Sequence, residues 1–306
     1  MRAQSLILSR HRGGKARLAR AWACALLFTA SALADTPAPV ASAPARPTPA
    51  PAVVPSPWER IVLIGASVTA GFTESEPFGG PRTSRYRLNR YVDAAVSAPH
   101  EPARNLASAF VFLQPEAASR KQIDDALKTK PTLVLGLDFL FWFCYGDGRT
   151  DDERLARFER GLKLLESLPC PLVVGDLPDA SAAVNRQLTP EQIPSPRALA
   201  AANRRLRQWV AARRQVAVLP LSSFMRSVVA NQRLRVHGHT LPAGQTLGLL
   251  QDDRLHPTAH GAAFLAVALL DAFQPVRSGH REGEVRWDPE EVWRLGSAAA
   301  AHAAGQ

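Results

Sequence analysis

Ile61-Val62-Leu63-Ile64-Gly65-Ala66-Ser67-Val68-Thr69-Ala70-Gly71-Phe72 is an apolar run stopped by a glycine and followed by a short turn. An unbroken aliphatic run of this kind reads as a parallel strand whose sheet is covered by helices on both faces. Ser67 falls two residues past Gly65, at the carboxyl end of the strand, where open sheets bind their ligands. A hydroxyl in that position is a candidate nucleophile. The same Gly, Ser and Thr residues also suit an ordinary turn and helix cap, so the stretch implies chemistry only if partners exist elsewhere.

Toward the C-terminus the pattern repeats. Thr132 to Leu137, Leu172 to Gly175 and Val216 to Leu219 read as further buried strands, and Ala103 to Leu113 as mixed strand and loop. Helical periodicity lies between them, over Ser84 to Val96 (Leu88, Tyr91, Val92 and Ala95 on one side), Glu116 to Lys128, Ala198 to Arg213, and briefly from Ser222. Thr150-Asp151-Asp152-Glu153 is a capping box, in which the Thr and Glu side chains satisfy each other's exposed backbone donors. It opens a helix with Leu155, Phe158, Leu162 and Leu165 inside, ended by Pro169. A last helix follows Pro257, with Phe264, Ala268 and Leu269 apolar. Alternating strands and helices predict an α/β fold, a three-layer α/β/α sandwich around a parallel, doubly wound, flavodoxin-like sheet. Right-handed crossovers bring the strand ends that matter to one edge.

Toward the N-terminus, Arg2, Arg10, Arg12, Lys15, Arg17 and Arg20 precede the apolar stretch Ala21 to Leu33 and the small-residue site Ala32-Leu33-Ala34. This is the order of a secretory signal peptide, with an apolar core shorter than the roughly 20 residues that span a bilayer. The expectation is a signal peptide over 1–34 and a periplasmic or secreted protein, an uncleaved N-terminal anchor being the alternative. Cys24 lies in the apolar region without a lipoprotein context. The net charge of +10 falls to +4 once those six cations are removed, so no nucleic-acid partner is expected.

Residues 35–57 are rich in Pro and Ala, a semi-rigid linker rather than a core. The folded domain is expected over 58–276. Residues 277–306 form a partly disordered extension in which Asp288-Pro289-Glu290-Glu291 starts one short helix, laying Val292 and Trp293 on the domain, and Ser297 to Gln306 is a loose tail. No segment after the signal peptide is expected to cross a membrane. Cys144 and Cys170 are compatible with a disulfide or with buried free thiols, and no cofactor or metal is implied.

A serine needs a base to take its proton, and the base needs a group to orient it. Asp253-Arg254-Leu255-His256-Pro257 offers both, a carboxylate three residues before a histidine ahead of the last helix. On a doubly wound sheet this segment and Ser67 can converge on one edge.

Gly65-Ala66-Ser67-Val68-Thr69-Ala70-Gly71 resembles the first motif of the SGNH (GDSL-type) hydrolases, Gly-Asp-Ser-x-Thr-x-Gly, and Asp253 to Pro257 with Gly261 resembles their last, Asp-x-x-His-Pro followed by a Gly. In layout the resemblance covers Trp58 to Phe273, with specificity only in these end motifs. It implies Ser67 as nucleophile, His256 as base and Asp253 as its orienter. It further implies an oxyanion pocket made by the Ser67 N–H, a glycine N–H after the second strand and an asparagine amide after the third. Here the second region is Arg104-Asn105-Leu106-Ala107-Ser108-Ala109, without glycine, and Gly136-Leu137-Asp138-Phe139 puts Asp138 at the asparagine position. Ala107, Ser108 and Asp138 are thus the candidate pocket residues. An ionised Asp138 has no donor, and losing such a donor costs about a hundredfold to a thousandfold in rate; a protonated one could still donate. Ala66 replaces the family's Asp.

The implied function is an exported serine esterase or deacylase acting on a small-molecule or glycan ester, such as O-acyl groups of a cell-envelope glycan. The alternatives are acyl transfer with the same triad and a catalytically impaired envelope binding protein on the same fold. Phe139, Phe141, Trp142, Phe143 and Tyr145 read as core or as an apolar wall beside Ser67; Arg82, Arg85 and Arg87 as a solvated face or an anion site; His237-Gly238-His239 as a weak metal signal without matching ligands.

Overall fold

The computed structural model describes residues 56–148, 150–277 and 282–304. The signal-peptide expectation, Cys24 and residues 35–55 of the linker lie outside the described residues. Trp58 is fully buried and meets Phe273 edge-to-face, and its Nε1 donates to Glu284 Oε2 at 3.1 Å.

The elements follow in order as β1 (Ile61–Leu63), α1 (Ser67–Ala70), α2 (Leu88–Ala95), β2 (Arg104–Asn105), α3 (Pro115–Lys128), β3 (Leu133–Gly136), α4 (Phe141–Cys144), α5 (Asp151–Leu165), β4 (Leu172–Gly175), α6 (Pro196–Ala211), β5 (Val216–Leu219), α7 (Leu221–Val229), β6 (Leu234–Val236), β7 (His239–Leu241), α8 (Ala259–Phe273) and α9 (Pro289–Ala304). The main sheet has the order β2-β1-β3-β4-β5, and every neighbouring pair is parallel. This is the doubly wound order in which the chain reverses direction between β1 and β3, and the crevice at that switch point is where such sheets hold ligands.

The strand period of two splits the core into the two covered faces of a three-layer sandwich. Ile61, Leu63, Leu133, Leu135 and Val173 pack on one face with Leu88 and Val92 of α2 and Phe264 and Leu269 of α8. Val62, Ile64, Val134 and Val174 face the other way, against Ile123 of α3, Phe158 of α5 and Leu206 of α6. Full burial of each aliphatic side chain contributes about 1.5–3 kcal/mol, and the sheet is apolar on both faces because both collect that term.

One local expectation holds, and others change. The capping box is present at α5, where Glu153 N donates to Thr150 Oγ1 at 3.2 Å and Thr150 N to Glu153 Oε2 at 3.1 Å. The C-terminal segment is more ordered than its composition implies: α9 continues to Ala304, so residues 297–304 are helical rather than a loose tail. Asp288 Oδ1 accepts from Glu290 N at 3.0 Å at its start, Val292 is fully buried, and Val285 forms an antiparallel bridge with Val96. Ala259–Val276 has a mean hydropathy of 1.3 over 18 residues, apolar and long enough to cross a membrane, which corrects the expectation that no such later segment exists. Its apolarity has another cause, since α8 is buried in the core from Gly261 to Leu270.

His237-Gly238 is the two-residue loop between β6 and β7, where Val236 pairs with His239. Both loop residues have positive φ, 42° and 80°, the hairpin geometry that glycine adopts at no steric cost. His237 stacks on Trp287 at 3.8 Å and its Nδ1 lies 2.8 Å from Asp271 Oδ1. Cys144 and Cys170 are free, and burial pushes both thiols up to about 11, which leaves them protonated and unreactive near neutrality.

Candidate active site

The nucleophile turn is held from two sides. Gln122 of α3 closes a reciprocal pair with Gly65, whose N–H donates to Oε1 at 2.8 Å while Nε2 donates to the Gly65 carbonyl at 2.9 Å. Asp138, just after β3, takes the rest. Its Oδ1 accepts from Ala66 N at 2.9 Å and from Thr69 Oγ1 at 2.6 Å, and its Oδ2 from Val68 N at 2.8 Å and Thr69 N at 3.3 Å. Gly65 has φ 153°, and a Cβ there would lie 2.1 Å from Asp138 Oδ1, so only glycine lets the carboxylate come this close. The N–H groups of residues 65, 66, 68 and 69 are therefore all committed. That of Ser67 has no acceptor among the described residues.

The other half of the site is the loop ahead of α8. Asp253 Oδ1 accepts from the N–H groups of Leu255 and His256, both at 2.9 Å, and Oδ2 lies 2.6 Å from His256 Nδ1. Arg254 sits between them with φ 60°, an unusual conformation for a side-chain-bearing residue that lets the chain double back so quickly. His256 Nε2 then lies 2.8 Å from Ser67 Oγ. Asp253 and His256 are buried, Ser67 half-buried. Burial raises the Asp253 carboxyl, but the hydrogen bond and charge of His256, with the two backbone donors, outweigh it and hold it below the ordinary carboxylate value.

The chain thus brings Ser67, His256 and Asp253 into one line of hydrogen bonds. It does not bring the three expected pocket residues there as donors. Asp138 lies beneath the turn, with both oxygens accepting from it; burial raises its carboxyl while those four donors lower it, with a net upward result. This corrects its reading as a group facing an oxyanion: the side chain occupies the asparagine position in sequence but spends its polar atoms on the turn. The Ala107 N–H donates to Asn105 Oδ1 at 3.0 Å and that of Ser108 to the Gly65 carbonyl at 3.3 Å. Ala107 and Ser108 instead line a separate cleft of about 250 Å³ that Phe72, Phe78 and Phe110 also line.

Residues outside the motifs complete the site. Gln251 joins its halves: Nε2 donates to the carbonyls of Phe72 at 2.9 Å and Pro257 at 2.8 Å, Oε1 accepts from Glu74 N at 3.3 Å, and its own N–H donates to the His256 carbonyl at 2.8 Å. The Phe72 ring packs on the imidazole with centroids 4.2 Å apart. Gln251 stands two residues before Asp253, and Gln122 is a polar residue on the buried face of α3; only the first had a signal, its nearness to the motif. The aromatic run Phe139 to Tyr145 is buried, though Phe141 reaches the cavity beside Ser67. Phe78 and Phe110, which line the separate cleft, are exposed, with near-parallel rings 6.5 Å apart.

No family model matches the chain, and no curated protein is significantly similar to it. Solved structures similar to it include a lipase/acylhydrolase from Enterococcus faecalis, 17% identical over 75% of this chain and 98% of that one, with a TM-score of 0.47. Axe2, an acetylxylan esterase from Geobacillus stearothermophilus, is 18% identical over 72% of this chain and 97% of its own, with a TM-score of 0.44. TesA is 17% identical over 72% of this chain and all of its own, with a TM-score of 0.42.

Proposed function

We propose that this chain is a serine esterase of the SGNH type, with Ser67 as nucleophile, His256 as general base and Asp253 as the group that orients it. The observation that carries this reading is the continuous line Asp253 Oδ2, His256 Nδ1, His256 Nε2, Ser67 Oγ, with gaps of 2.6 and 2.8 Å. Asp253 accepts from Nδ1–H, which leaves the Nε2 lone pair toward the hydroxyl. As Ser67 Oγ attacks the ester carbonyl, its proton passes to Nε2. The uncommitted Ser67 N–H is the donor for the oxyanion, and Asp138 supports it by occupying the neighbouring donors. Collapse expels the alcohol, which takes the proton from His256; water, activated by the same base, then releases the acid and restores Ser67.

The proposed substrate is a small-molecule or glycan ester of the cell envelope, a reading supported by the basic, then apolar, then small-residue order of residues 1–34, which we read as an export signal. One observation favours the rival reading, an impaired binding protein: among the described residues no Asn or Gln side chain lines the cavity at Ser67. Hydrolysis of p-nitrophenyl acetate by the chain and by Ser67→Ala separates the two. The esterase reading expects kcat/KM to fall by about a thousandfold or more in the variant; equal rates in both would favour binding.

A further inference from the structure

The mechanism above uses one edge of the cavity at Ser67 and leaves the rest of it unexplained. Its walls come from α7 (Phe224, Met225), α8 (Leu265) and the segment before the Asp253–His256 loop (Leu249, Leu250). Only two lining residues, Ser67 and Asp138, have polar side chains, and both Asp138 oxygens are taken by the turn. Beyond Ser67 itself, the walls therefore offer no side chain free to pair with a hydroxyl or a charge, and a polar group placed deeper would lose its hydration without return. Its volume is about 30 Å³, room for roughly two water-sized groups.

We propose that this cavity binds the acyl chain of the ester and limits it to short chains, acetyl to about butyryl; the proposal rests on the esterase reading. An acyl carbon bonded to Ser67 Oγ would carry its hydrocarbon tail into the apolar pocket and leave the alcohol portion outside. The residues that set the limit are Met225 and Leu265, a flexible thioether on one wall and a core leucine on another.

The test is a chain-length series of p-nitrophenyl esters, acetate, butyrate, hexanoate and octanoate, on the wild type, Met225→Ala and Leu265→Ala, with thermal unfolding to confirm the fold. The wild type should lose about tenfold or more in kcat/KM between butyrate and octanoate, and each variant should raise the octanoate-to-butyrate ratio by about tenfold, the usual worth of pocket methylenes. If Leu265→Ala does not fold, Met225→Ala carries the comparison. A wild type that prefers octanoate overturns the proposal, as do folded, active variants with an unchanged profile, and either result leaves the esterase reading standing. Absence of turnover on every ester, with no Ser67-dependent labelling by a fluorophosphonate, would remove both.

Discussion

Asp138 receives four hydrogen bonds on two oxygens, and an asparagine cannot reproduce them. In the less costly orientation the new NH₂ group replaces Oδ1 and donates to Thr69 Oγ1, but it then points at the Ala66 N–H and leaves that donor unpaired. Asp138→Asn should therefore destabilise the protein by about 1–3 kcal/mol, the cost of one orphaned buried donor, and lower rather than raise esterase kcat. Urea unfolding and steady-state kinetics check both; higher activity would mean that the amide had turned toward the oxyanion. The sequence places Asp138 at a named motif position, but position does not give direction. Side-chain direction here follows from Gly65, whose missing Cβ opens the space under the turn. Ser67, Asp253 and His256 were legible because they stand in two short stretches that resemble known motifs, and for Asp253 and His256 also because three residues let a carboxylate meet an imidazole.

At the scale of elements, β4 and β5 have the bounds that their apolar runs predict: β4 is central and every residue is buried, and β5, though at the sheet edge, is half-buried only at Val218. The edge strand β2, only Arg104–Asn105, has no such run and blends into loop. The β6–β7 hairpin was hidden by a His-Gly-His sequence that looks like chemistry and serves as a turn. Connections between elements are the least legible feature, and Gln251 is the clearest case: it ties the chain after α1 to the loop before α8 through four hydrogen bonds. Gln251→Ala should loosen the Ser67–His256 distance without touching substrate, so kcat should fall by about tenfold or more while KM stays nearly constant. Kinetics beside Gln251→Glu, which keeps an acceptor for Glu74 N but loses the donors, separates this positioning role from general destabilisation: the two should lose kcat alike. A loss confined to KM would contradict it.

For the whole molecule, the site couples two buried carboxyls whose ionisation affects stability in opposite directions. Asp253 is held below its unfolded value, so its contribution is fully present above about pH 4 and is lost as pH falls through the lower folded value. Asp138 is raised, so its contribution is present below the unfolded value and is lost as pH rises through the folded one. The stability advantage of the wild type over Asp253→Asn should therefore shrink between about pH 5 and pH 3, measured by urea unfolding across that range; a gap that widened on acidification would contradict the linkage. The three-layer core follows from strand and helix alternation, and the start of the C-terminal helix and its buried Val292 follow from Asp288-Pro289-Glu290-Glu291; its continuation to Ala304 does not, because the Ala-rich end carries little periodic signal. Activation of the Ser67 hydroxyl is measured by mass spectrometry of residues 35–306 treated with a fluorophosphonate. A single adduct should form on Ser67, be absent in Ser67→Ala and form about a hundredfold or more slowly in His256→Ala; a folded protein left unlabelled at Ser67 would mean that its hydroxyl is not activated.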